Sequence, residues 1–258
     1  MKSLSIGMAS QECGQFLKRE AGLLVPVALL FTGIPVALLL QAIPPSLRQM
    51  AATEQAAANV TLPGSAMVLL FFCPLLVLVG TLTTYALALR PGISLGEALR
   101  LGFRRMPVAL GAALLMGAAL AVPMLVLGAV SEAIASGVLL VGALLLSARL
   151  LPVNAVVVNG EMGVLAALRE SWTLSSGHLL RLLGFVVLMS IPIMIAQTVG
   201  QALFGVIGFA LGGKEVARQA GDVGAAMALS LGQMVMIVMT AFLYRQLRGG
   251  DRGGDGKA

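Results

Sequence analysis

The sequence predicts an all-α polytopic membrane protein with six transmembrane helices and two or three cytoplasmic-side interfacial amphipathic helices. Three observations carry that expectation. Hydrophobic residues make up 59% of the chain and charged residues only 11%, with mean hydropathy +0.98; soluble domains carry about 25% charged residues. Several apolar stretches exceed the roughly 18 residues that mark a transmembrane helix. Lys and Arg concentrate in alternate connections, as positive-inside topology requires.

The first span is placed at 22–43, ending in Gln41-Ala42-Ile43-Pro44-Pro45. It is full length and follows about twenty mixed residues, so it reads as a retained helix and not a cleaved signal peptide. The second lies at 64–89, the third at 107–131, the fourth at 134–158, the fifth at 179–211 and the sixth at 222–246. The fifth is long enough to be tilted, broken or extended beyond the bilayer. The tail 249–258 is Gly-rich and charged, the composition of a disordered segment.

Between spans lie segments with helical apolar spacing. In 94–105 these are Leu95, Leu99 and Phe103, in 162–172 Met162, Leu165, Leu168 and Trp172, and in 4–18 Leu4, Met8, Phe16 and Leu17. Each carries cations and an aromatic or large apolar face. That profile suits a helix lying in the membrane interface or one packed on cytoplasmic loops. Residues 90–103 align without gaps on 159–172, matching Ala98-Leu99-Arg100 to Ala167-Leu168-Arg169 and Phe103 to Trp172. The chain then divides into three units of interfacial helix plus hairpin, 1–89, 90–158 and 159–248, within one integral membrane domain, 1–248.

With both termini inside, thirteen Lys and Arg fall on the cytoplasmic side, and Arg48, Lys214 and Arg218 on the other. This bias gives cytoplasmic N- and C-termini. The net charge of +6 is explained by the same asymmetry, and without a dense basic run nucleic acid is not an expected partner. Cys13 and Cys73 form neither a CxxC pair nor a disulfide framework. With His178 the sole histidine and the carboxylates scattered, no hydrolase, metal or nucleotide motif is present, so neither enzymatic activity nor a cofactor is expected.

One charge interrupts a span. Arg149 stands about ten residues before the predicted cytoplasmic end of the fourth helix, or about 15 Å along an unbroken helix. That is half of the ~30 Å hydrocarbon core, so the guanidinium is expected near the midplane, facing the bundle interior. Counting depth along the other spans brings Thr81, Ser190 and Gln233 to the same level, a candidate polar, anion-binding layer with Arg149. Pro152 removes a backbone donor and frees a carbonyl beside the arginine, and Asn154 and Asn159 continue a polar trace. Two readings stay open. Arg149 caps loosened carbonyls or pairs with Glu161, locking the hairpin; or it holds an anion, most naturally a phosphate, in its bidentate fork.

The pattern Arg149-x-x-Pro152, a polar connection with Glu161, then Ala167-Leu168-Arg169-x-Ser171-Trp172-x-Leu174-x-x-Gly177 resembles a signature in the membrane domain attached to some bacterial glycerophosphoryl diester phosphodiesterases. Stand-alone six-helix relatives of that domain also exist. The specific similarity spans roughly 145–185, and the six-span plan extends it loosely over the chain. It implies a bacterial inner membrane and a lipid-related role. It does not imply phosphodiesterase activity, because catalysis in the two-domain members belongs to a soluble barrel, and these residues are taken up by the membrane part. Asn159 stands here where other members have a more acidic loop. The expected role is non-enzymatic: binding, moving or organising phospholipid or another amphipathic anion in the lipid bilayer. The alternatives are an assembly or regulatory subunit docking a membrane protein partner through Ser171-Trp172, and a secondary transporter of a small anionic solute.

Overall fold

The computed structural model describes residues 6–43, 64–128 and 132–251. Residues 1–5 with Leu4, the predicted loop 44–63 with Arg48, the connection at 129–131 and the tail from 252 lie outside the described residues. Among those described there is no strand, and nearly all are helical. The elements are α1 (Ile6–Ala28), a π turn (Leu29–Gly33), α2 (Ile34–Ala42), α3 (Gly64–Leu89), α4 (Leu95–Gly128), α5 (Glu132–Arg149), α6 (Val153–Asn159), α7 (Val164–Ser175) and α8 (Leu179–Asp251). Five helical runs are long and apolar enough to cross a membrane. Their exposed large side chains, Phe71, Leu114, Leu140 and Phe209 among them, would be unfavourable in water.

Two of the three expected amphipathic helices are not separate elements. The stretch from Ile6 to Leu17 forms the opening turns of α1, and Leu95–Arg105 those of α4. Nothing breaks either helix: Lys18-Arg19-Glu20-Ala21 and Arg104-Arg105-Met106 are good helix formers. Ser94 and Glu97 start α4 as a capping box. The Ser94 amide donates to Glu97 Oε2 at 3.0 Å and the Glu97 amide to Ser94 Oγ at 3.3 Å. Only α7 stands alone, because Gly160 and Gly163 adopt extended backbone on either side of Glu161-Met162.

The π turn sits between Pro26 and Pro35. Pro35 falls in the first turn of α2, where a missing N–H matters least, and the π turn absorbs the change of register. In α8 the break falls at Gly212 and Gly213, where Gly213 takes φ +75°, a conformation that favours glycine. The predicted segments 179–211 and 222–246 therefore fall in the two arms, 179–211 and 214–251, of a helical hairpin. The expected connection 212–221 shrinks to two glycines, because Lys214–Ala220 is helix-forming and carries an Arg218–Glu215 pair at 2.6 Å.

The chain divides into two compact units. One comprises Gly22–Gly80 and Pro192–Met234. Within it the two arms pack antiparallel through small residues: Gly200 lies against Gly224 and Ala228, Gly208 against Val216 and Ala220, and Gly232 against Ile193. Without a hydrophobic driving force in lipid, such close backbone approach is what holds helices together. The GxxxG at Gly208 and Gly212 lies at the closed end of this contact.

The other unit comprises Met1–Ala21, Thr81–Ile191 and Val235–Ala258. In it α4 packs on α5, α6 and α7, and α7 also touches α5 and α6. Helix α6 is almost wholly buried, with Val153, Ala155, Val156, Val157 and Val158 in the interior. Ala112, Leu150 and Val153 form a core patch with Met116, Leu146, Val164 and Leu168 packed against it. The units differ in charge: this one holds fourteen of the seventeen Lys and Arg against eight Asp and Glu, and the other three of each.

Candidate functional site: the corner between α5 and α7

The helix carrying Arg149 ends on it. Pro152 is buried and supplies no amide, so the backbone turns through Leu150-Leu151 before α6 begins; the Val153 amide donates to the Leu150 carbonyl at 3.0 Å. The expected kinked but continuous span 134–158 is thus two helices, Glu132–Arg149 and Val153–Asn159. The run Ser136–Asn159, with Arg149 at the break inside it, remains one of the five long and apolar enough to cross a membrane.

The arginine is held by α7. Its guanidinium carbon lies 4.9 Å from the centre of the Trp172 ring, and the Ser171 hydroxyl donates to the Arg149 carbonyl at 3.2 Å. Ser171 is fully buried and Trp172 is 50% exposed. One face of the guanidinium is therefore covered by an aromatic ring, a favourable contact for a cation. Its Nη1 is buried and finds no hydrogen-bond acceptor among the described residues. As a cation in the last turn of α5 it also opposes the negative end of the helix dipole.

Glu161 does not answer Arg149. Its Oε1 lies 3.5 Å from Arg105 Nη2 and 4.0 Å from Arg104 Nη2. The reason is distance: Trp172 stands eight residues beyond the start of α7, about 12 Å along the helix. Glu161 precedes that start, and Arg149 sits at the other end. The hairpin-locking reading of this pair is corrected accordingly. Capping of a loosened carbonyl does occur, but Ser171 supplies it.

The other expected residues fall as follows. Ser190 is exposed and donates to the Val186 carbonyl of its own helix at 2.7 Å. Thr81 is half-buried at the border of the basic unit, and Gln233, also half-buried, belongs to the other unit. Asn154 is half-buried and Arg169 exposed. Of the motif at 149–172, the structure brings Arg149, Ser171 and Trp172 into direct contact.

Sequence reasoning missed a second polar knot in the same unit. Arg90 Nη2 donates to the Val158 carbonyl at 3.1 Å, placing a cation at the C-terminal end of buried α6. Asn159 Nδ2 and Arg248 Nη1 both donate to the Tyr244 hydroxyl at 3.2 Å. The Arg90 and Asn159 contacts join residues 68 and 85 positions apart, which no local spacing announces, whereas Arg248 reaches Tyr244 from one turn along the same helix. Among the described residues there is no group of three or more His, Cys, Asp or Glu that could hold a metal ion. Comparisons with protein-family models, curated proteins and solved structures find no match to this chain.

Proposed function

We propose that this is a non-enzymatic, six-span protein of a bacterial inner membrane that holds the phosphate of a phospholipid, or of a similar amphipathic anion, at Arg149. One observation carries the reading: a guanidinium stacked on Trp172, with a buried donor unmet and no carboxylate beside it among the described residues. A desolvated donor left unpaired is costly, and a bidentate phosphate contact relieves it. The half-exposed indole next to it suits a headgroup with an acyl chain attached. The resemblance of residues 145–185 to a membrane domain found with glycerophosphodiester chemistry points to the same class of ligand.

The membrane placement follows from lengths. With the two arms of α8 taken separately, the five long runs become six spans. In the region of the run Ser136–Asn159, helix α5 alone has 18 residues, about 27 Å, close to the ~30 Å hydrocarbon core. Arg149 then belongs at the membrane surface and not at mid-depth, where an arginine costs far more. The concentration of Lys and Arg in 1–21, 90–106, 159–178 and the segment from 245 supports cytoplasmic termini. Helix α7, with Trp172 and Leu165 exposed, is then the one separate interfacial helix.

The test is native mass spectrometry of the full chain in mild detergent with added phosphatidylglycerol. Wild type is expected to retain bound lipid, Arg149→Leu to lose it, and Arg149→Lys, which keeps the charge without the fork, to fall between. Equal lipid occupancy in wild type and Arg149→Leu would refute the reading. A reporter active only in the cytoplasm, fused after Ala258, must be active for the topology to stand.

A further inference from the structure

At the opposite end of α7 from Arg149 lies a second cluster, Arg104, Arg105 and Glu161. Both guanidiniums approach a single carboxylate oxygen, at 4.0 and 3.5 Å, too far for hydrogen bonds. The partners are unequally fixed. The Arg105 side chain is 11% exposed, whereas Glu161 is 82% exposed on the short Gly160–Gly163 linker. Arg105 Nε is buried and has no hydrogen-bond acceptor among the described residues. A seated cation with an unmet donor is therefore faced by a loosely held acid. Phe103 and Leu165, both exposed, add apolar surface in the neighbouring turns.

We propose that Arg104 and Arg105 form a second phosphate site, in which the Glu161 carboxylate stands where a phosphate group binds. One carboxylate oxygen cannot meet the donors of two guanidiniums. A phosphate has further oxygens spread tetrahedrally, and each accepts charge-assisted hydrogen bonds from an Arg fork. Displacing Glu161 is cheap, because an ion pair whose acid is this exposed contributes little and its carboxylate returns to water. The phosphate is that of an anionic lipid or free inorganic phosphate; the chemistry at the two arginines is the same. The site does not depend on the Arg149 reading, since α7 separates the two by its length.

The experiment measures phosphatidylglycerol occupancy by native mass spectrometry on the full chain, with inorganic phosphate as a competitor. Glu161→Gln is expected to raise occupancy at a fixed lipid concentration about three-fold, the scale of one released surface ion pair. The gain must persist in an Arg149→Leu background and vanish in Arg104→Gln/Arg105→Gln. Lipid occupancy unmoved by excess inorganic phosphate assigns the lipid as source, and its displacement assigns the phosphate group alone. Occupancy unchanged in Glu161→Gln, or raised equally by Glu170→Gln as a plain charge effect, overturns the proposal. Glu161 is exposed, so its substitution tests the site even if the double arginine variant does not fold.

Discussion

Replacing Gly200 by alanine tests whether the arms of α8 are held by backbone contact. A Cβ there would lie 2.7 Å from the Gly224 carbonyl oxygen and 3.2 Å from Ala228 Cβ, where ordinary contact begins at 3.4 Å. The obstacle is mainly backbone, so no rotamer change relieves it. The arms must part by about 0.7 Å, and a gap of that size forfeits a quarter to a half of each neighbouring dispersion contact. In lipid those contacts carry the association. The expected destabilisation is about 1–3 kcal/mol, the range for overpacked interiors. A Cβ on Gly117, in α4, would meet no atom within 4 Å, so Gly117→Ala is expected to stabilise its helix by about 0.5–1 kcal/mol. Unfolding by titration of sodium dodecyl sulfate into mild detergent, followed by thiol labelling of buried Cys13 and Cys73, reports both. If Gly200→Ala proves as stable as Gly117→Ala, the close-packing argument is refuted. The pair Gly200→Ala/Gly224→Ala should cost less than the sum of its members, because one separation of the arms relieves both clashes.

Other expectations concern the basic unit. Trp172 is the sole tryptophan, so intrinsic fluorescence reports on Arg149: Arg149→Leu should shift its emission, and an unchanged spectrum contradicts the stacking. Trp172→Ala should destabilise by about 0.5–1 kcal/mol, the worth of a cation–π contact at a partly exposed ring. Tyr244→Phe strands two donors, Asn159 Nδ2 and Arg248 Nη1, and should cost about 1–3 kcal/mol in the same unfolding assay. Ser94→Ala removes the reciprocal cap of α4; faster hydrogen exchange confined to its first-turn amides is the expected signature, and unchanged exchange would contradict the cap.

Much of the architecture is legible in the sequence because burial in lipid demands a simple signal. The span 64–89 coincides with α3, and the predicted fifth and sixth spans both fall within the long apolar run of α8, because apolar length is what a bilayer selects. The sequence also singles out Arg149, Ser171 and Trp172, which do meet. What lies between them is less legible. Pro152 suggests a kink, but with Leu150-Leu151 it ends the helix, leaving Arg149 at a break inside the apolar run Ser136–Asn159. Glu161 finds Arg104 and Arg105 in place of Arg149 for a related reason. The choice among cations depends on where a glycine-bounded linker directs the carboxylate, which hydropathy does not encode.

Helical class, the presence of several apolar runs of membrane-spanning length, the asymmetry of Lys and Arg and the identity of the α5–α7 motif are properties of composition and local order, and the sequence determined them unaided. The termination of α5 at Arg149, the burial of α6 and the assignment of Glu161 to Arg104 and Arg105 were decided only in three dimensions. So were the Tyr244 knot and the closeness of Gly200 to Gly224. Each of these joins helices whose relative rotation is set by side-chain packing, and that rotation leaves no periodic trace along the chain.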